Sequence, residues 1–142
     1  MSPTDAAHRL VEVSGAEALY LLEGSSSGRL VYPHRGAPAL RPAAHVLAHG
    51  HLVVRAPVPG AALRQGGAPV AYHVDAWPTA AGKGAGWSLT VSGPAELLTD
   101  RDEVAHYRRT LTGWIHGPHD TLVRLLPQSV TGFRLSPAGP RP

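Results

Sequence analysis

Cysteine is absent from the 142 residues, which excludes a disulfide framework, thiolate zinc sites and a cysteine nucleophile together. Lysine is nearly absent: of the 13 Lys and Arg residues only Lys83 is a lysine, so the positive charge rests on guanidinium groups, which suit two-pronged contact with phosphate or carboxylate. No apolar run approaches the roughly 18 residues of a membrane span, and the opening MSPTDAAHRL lacks the basic-then-apolar pattern of a secretory signal. Cytoplasmic residence without a membrane partner is therefore expected. Also missing are a G-x-S-x-G elbow, a phosphate loop ending in G-K-[ST] and a dinucleotide G-x-G-x-x-G followed by an acidic residue. Any chemistry has His, Asp, Glu, Arg, Tyr, Ser or a cofactor to work with.

Hydrophobic residues make up 43% of the chain and charged ones only 16%, the balance of one globular domain with enough apolar surface for a core. The net charge of +3 and a pI near 9.8 raise nucleic acid as a partner. The arginines are scattered, however, and no helix carries a basic stripe, so no nucleic-acid partner is expected.

The 16 Gly and 14 Pro fall between apolar runs, the punctuation of many short strands joined by turns. The first element is an exception. Ser14 and Glu17 stand at capping-box spacing before Ala18, Leu19, Leu21 and Leu22, which predicts a helix to about Gly24. Strands are predicted over 28–33, 39–48 and 51–56, the second weakened by Pro42, which implies an edge or a bulge. His49-Gly50 is a tight-turn signal between the last two, and a helical turn follows through Ala61 to Arg64. Residues 69–77 and 87–98 alternate apolar and polar and read as central strands around a Gly-rich loop. Asp100 and Glu103 open a second helix carrying Val104, Tyr107 and Leu111. Runs 121–127 and 130–135 supply two last strands. The organisation is an N-terminal extension (1–13), a β-rich domain (14–135) and a flexible tail (136–142), which together fit a small barrel capped by helices.

Five segments in order carry a resemblance. Gly36-Ala-Pro38-Ala-Leu-Arg-Pro42-Ala-Ala-His45 resembles a strand of the form G-x-P-x-x-x-P-V-N-Y, and Leu52-Val-Val-Arg55-Ala56 an F-R-T strand. Gly67 to Asp75 resembles P-V-A-F-E-V-D, and Gly86 to Ala95 resembles G-W-S-V-x-V-x-G-x-A. Trp114, Asp120, Val123-Arg124 and Val130-Thr131-Gly132 resemble a closing W…D-x-x-V-R-I…V-T-G. The family that these segments resemble is that of the pyridoxamine 5'-phosphate oxidase-like flavin-binding split barrels.

The resemblance implies a mainly β, six-stranded, Greek-key-like split barrel that forms a homodimer. Flavin mononucleotide (FMN) or a small-molecule ligand would lie at the interface, and the activity would be that of a flavin-dependent oxidoreductase. In that family the flavin phosphate is held by the Arg and hydroxyl of the F-R-T strand and by a Ser-Lys pair beyond it. Here Arg55 matches, Ala56 replaces the hydroxyl and Ala61-Ala62 stand where the pair would follow Gly60, so the phosphate site reads as degenerate. Arg64 and Arg41 are each either a substitute anchor or a solvated surface arginine. In the strand beside the flavin, Ala43 and Ala44 take the places of Val and Asn and His45 that of Tyr. Trp87 and Trp114 are either ligand contacts or packing. His45, His49 and His51 do not make a metal site, because a hairpin tip separates them, and no catalytic residue is assigned. The alternatives are a cofactor-poor ligand-binding or interaction protein on the same fold, or a relative that uses deazaflavin or heme.

Overall fold

Apolar residues at every second position give each strand one buried face, and the structure gathers those faces into one curled sheet. The computed structural model describes residues 8–64, 69–77, 86–111 and 119–137. The elements are β1 (His8–Glu12), α1 (Gly15–Glu23), β2 (Ser27–His34), β3 (Ala37–Ala48), β4 (His51–Pro57), α2 (Gly60–Arg64), β5 (Val70–Ala76), β6 (Trp87–Gly93), β7 (Ala95–Leu97), α3 (Arg101–Thr110), β8 (Asp120–Leu125) and β9 (Ser129–Pro137). Their order across the sheet is β1-β9-β6-β5-β2-β3-β4-β8-β7, with all neighbours antiparallel. The architecture is mainly β as expected, a curled antiparallel half-barrel consistent with the split barrel, with nine strands among the described residues where six were expected; β1 and β7 are short strands at the two edges.

The concave face holds Leu30, Tyr32, Val54, Ala56, Tyr72, Val74, Leu89 and Val91, and α1 closes one end with Ala18 and Leu22. A second, smaller cluster lies on the convex face. Ala44, Val53 and Leu122 share that face by register, and Leu98, Leu111, Val104 and Tyr107 cover them. Helix α3 thus packs outside the barrel on β3, β4 and β8.

Local signals explain the element ends. Ser14 Oγ accepts from the Glu17 N–H at 3.2 Å, and an Asp100 oxygen accepts from the Glu103 N–H at 3.0 Å, each satisfying a helix-end donor. The β3–β4 hairpin turns on His49 (φ 54) and Gly50 (φ 78), and β2–β3 turns likewise on Arg35 (φ 53) and Gly36 (φ 80), the left-handed pairs of a two-residue hairpin. Pro42 lies within β3, yet the pairing of β3 with β4 begins only at Ala44. At Pro42 the strand is locally an edge, where a missing N–H costs no ladder bond.

Beyond shifts of one or two residues at strand ends, the organisation differs from the sequence reading in three places. The expected strand 87–98 is two strands, because Pro94 interrupts it and Leu126 N–H donates to the Pro94 carbonyl at 3.0 Å. Residues 8–12, set apart as an extension, form β1 on β9, and Ser136 and Pro137, assigned to the tail, extend β9 to meet it. Among the described residues, no helix is long and apolar enough to cross a membrane.

Candidate functional site

Strand β3 runs from exposed at Arg41 and Pro42 to buried at Ala43, Ala44 and His45. Successive side chains point to opposite faces, so Ala43 enters the barrel core and Ala44 the cluster under α3. A pocket of about 310 Å³ opens beside this segment, walled by Ala44, His45, Val46 and Leu47, by Glu23, Ser25 and Ser26 after α1, and by Thr110 and Leu111 at the end of α3. Three elements distant in sequence meet there because β3 pairs with β2 while α1 and α3 close opposite faces of the sheet.

His45 is only 2% exposed. Its Nδ1 lies 2.6 Å from the Tyr72 hydroxyl, and its Nε2 lies 3.2 Å from Ser25 Oγ and 3.3 Å from the Leu22 carbonyl oxygen. A carbonyl can only accept, so the proton is assigned to Nε2, and Nδ1 accepts from Tyr72. Burial lowers the His45 pKa below the usual imidazole value, against the raising effect of the backbone hydrogen bonds to Leu22 and Ser25. Burial also pushes the Tyr72 hydroxyl up. The imidazole is therefore neutral with both nitrogens engaged, and the Ser25 hydroxyl donates to the Leu22 carbonyl at 3.1 Å. Nothing in this arrangement draws a proton from Ser25, so the trio orders the pocket wall and does not form a nucleophile.

Arg55 stands on the convex face opposite Ala44, its side chain 13% exposed. Nε donates to Asp120 Oδ1 at 2.9 Å and Nη2 to Oδ2 at 2.7 Å. Nη1 donates to the carbonyl oxygens of Leu111 at 2.9 Å and Arg108 at 3.3 Å. The guanidinium thus caps the C-terminal end of α3, where carbonyls lack helical partners. Arg108 adds Nη1 to Asp120 Oδ2 at 2.5 Å and Nη2 to the Asp120 carbonyl at 2.9 Å. The Arg55 hydrogen bond, followed in effect by burial acting the other way, holds the Asp120 carboxyl below the usual carboxylate range, and Asp120 raises Arg55 in turn.

The expected site residues are therefore only partly assembled. Ala44 and His45 line the pocket, and Arg55 touches its wall through the Leu111 carbonyl. Ala43 and Ala56 lie with their methyl groups inside the barrel core, so a hydroxyl at position 56 would enter that core and not an anion seat. Arg41 is exposed, its Nη1 donating to the Leu40 carbonyl at 2.8 Å, and it does not line the pocket. Arg64 ends α2, its side chain outside the described residues, as is Trp114. Trp87 packs on the core and lines a separate depression with Tyr20, Leu21, Glu23 and Gly24. Of the three clustered histidines, His45 is buried while His51 Nδ1 meets the His49 carbonyl at the hairpin tip.

Sequence reasoning missed Ser25, along with Tyr72, Thr110, Arg108 and the pairing of Asp120. A signal existed for Ser25 alone: a serine just past a capped helix is placed to bond that helix's last carbonyls.

An antiparallel half-barrel with one helix plugging its end and another packed outside is the split-barrel architecture. The chain belongs to the pyridoxamine 5'-phosphate oxidase family, whose model matches residues 14–134. It is 33% identical over 135 residues to an uncharacterised protein of Mycobacterium tuberculosis, covering 91% of this chain and 88% of that one. Among solved structures it is similar to an FAD-binding protein of Mesorhizobium loti, with a TM-score of 0.71, 25% identity, and 91% and 98% of the two chains covered. An FAD-binding protein of Mycobacterium smegmatis shares the fold at a TM-score of 0.61 and 22% identity, with 89% and 98% covered.

Proposed function

We propose that this chain is a cytoplasmic flavin-binding protein acting as a flavin-dependent oxidoreductase, with the flavin ring in the pocket beside His45. The observation that carries the reading is that pocket, on the β3 segment that the resemblance sets beside the flavin. The family supports the flavin-binding part of the reading, as does the similarity to an FAD-binding protein of Mesorhizobium loti.

The residues fit the two ends of a flavin unequally. Ala44, Val46 and Leu47 offer apolar wall for a flat ring, and Ser26 and Thr110 offer hydroxyls to its polar edge. At the phosphate end the fit fails, since the donors of Arg55 are committed to Asp120 and to α3. A bound isoalloxazine supplies the hydride chemistry; the chain binds and orients it and keeps water away.

A volume of about 310 Å³ is at the small end for ligand sites, which run from roughly 300 to 1,000 Å³. A homodimer supplies the missing wall in this reading. Leu40, Val31 and Ala71 follow one another across the convex face by register, and Leu40 is 53% exposed, an apolar row suited to a partner.

The test is to load the purified chain with riboflavin or FMN, desalt it and record the visible spectrum, with sedimentation on the same sample. Retained absorbance near ~450 nm, abolished in Ser26→Phe, is the expected result. A colourless wild-type protein at micromolar flavin would sink the flavin reading and favour an interaction protein on the same fold.

A further inference from the structure

We infer that the site takes a flavin whose side chain ends in hydroxyl groups and carries no terminal phosphate, because Asp120 already occupies the anion seat of Arg55. This rests on the flavin reading above. A guanidinium offers a carboxylate or a phosphate the same two parallel N–H donors, and the Nε and Nη2 edge of Arg55 presents that pair to the two Asp120 oxygens at 2.9 and 2.7 Å. The remaining nitrogen is spent on the carbonyls of Leu111 and Arg108. Turning Arg55 toward a ligand would therefore uncap the helix end that forms the pocket wall.

The neighbouring cation gives no relief. Arg108 directs both terminal nitrogens to Asp120, at 2.5 Å to the carboxylate and 2.9 Å to the backbone oxygen. A phosphate entering here would have to expel a carboxylate held by three N–H donors and then share the space with it, two anions beside one another. The Ser-Lys pair that would hold it beyond Gly60 in the resembled family is replaced by Ala61 and Ala62. A hydroxyl-bearing chain meets none of this repulsion. Asp120 Oδ1 receives one N–H, from Arg55, and an ionised carboxylate oxygen can accept a second bond, from a hydroxyl but not from a phosphate dianion. The intramolecular carboxylate acts as a selectivity element: it supplies the negative charge that the ligand would otherwise bring.

The experiment titrates riboflavin and, separately, FMN into the full apo chain and follows flavin fluorescence, for wild type and for Asp120→Asn. Wild type is expected to bind riboflavin at least as tightly as FMN, with neither affinity falling steeply as salt rises. In Asp120→Asn, where Arg55 and Arg108 lose their counter-charge, the FMN-to-riboflavin preference should rise by about tenfold or more, the scale of one charge-assisted contact. Should that variant fail to fold, the wild-type affinity ratio and its salt dependence decide alone. Wild-type protein that prefers FMN by about tenfold or more, with salt-sensitive binding, overturns this inference and leaves the flavin reading standing. If neither flavin binds, the flavin reading fails and this inference with it.

Discussion

His45 Nδ1 and the Tyr72 hydroxyl meet at 2.6 Å inside the barrel, tying β3 to β5, two strands that are not neighbours in the sheet. The rings stand edge to face, 5.0 Å apart at 75°. Through Nε2 the same imidazole reaches the end of α1, so one side chain joins two strands and the helix that plugs the barrel. No buried side-chain nitrogen or oxygen among the described residues lacks a partner, which makes removal of either ring's polar atom costly.

Tyr72→Phe deletes the donor and leaves Nδ1 buried with an unfilled acceptor. Leaving a buried polar group unsatisfied costs about 1–3 kcal/mol. Urea unfolding should show that loss with the slope unchanged; a change below about 0.5 kcal/mol would mean that water replaces the hydroxyl.

The depressed His45 pKa makes stability depend on pH in a defined direction. Between the lowered folded value and the ordinary one of about 6.5, the unfolded chain binds a proton that the folded chain does not, so stability rises with pH through that window. It is complete above about pH 6.5 and declines below. His45→Gln should lower stability at pH 7.5 and flatten the slope below about pH 6.5. An unaltered slope in thermal melts would assign the dependence to other groups.

Asp120 contributes in a lower window. Its carboxyl is held below the usual range chiefly by Arg55, so the stabilisation is present above about pH 3.9, the unfolded value, and is lost as pH falls through the folded one. With side chains 13% and 25% exposed, breaking the pair by Arg55→Met should cost about 2–3 kcal/mol, less than the 3–5 of fully buried pairs. Hydrogen exchange at the end of α3 should quicken in the same variant, since Arg55 caps that end. Unchanged exchange there would show that the cap is dispensable.

Gly28 lies where β2 passes the Tyr72 ring. A Cβ at this position would stand 2.6 Å from the His73 carbonyl oxygen and 2.8 Å from Tyr72 Cζ and its hydroxyl. Gly28→Ala should cost about 1–3 kcal/mol by overpacking. Combined with Tyr72→Phe it should cost less than the sum, because both act on one contact. Additive losses would show that the strain is taken up elsewhere.

The sequence announced what is local. The Ser14 and Asp100 caps, the His49-Gly50 turn and the local edge at Pro42 each depend on residues within a few positions. The five-residue β1 has no such signature; HRLVE becomes a strand only against β9, more than a hundred residues on. The site divides in the same way. His45 and Arg55 could be singled out from their strands, but their chemistry is set by partners at separations of 27 and 65 residues. The motif names Arg55, but the carboxylate that engages its guanidinium arrives only on β8. For Ala43 and Ala56 the motif names residues without saying which face of the strand they take, and the structure turns their methyl groups into the core.

The placement of β9 between β1 and β6 has a consequence for how the chain comes to be folded. Strands β2 to β8 can find one another during synthesis, but β1, made first, pairs with β9 alone and waits for the last strand of the sheet. Until then β1 lies idle and β6 presents a bare edge, open to any unpaired strand nearby. Residues 129–137 supply the ladder partners that occupy both edges at once. A chain stopped at Gln128 would keep most of the core and still be adhesive, so the final strand does more to keep the protein from aggregating than to hold its core.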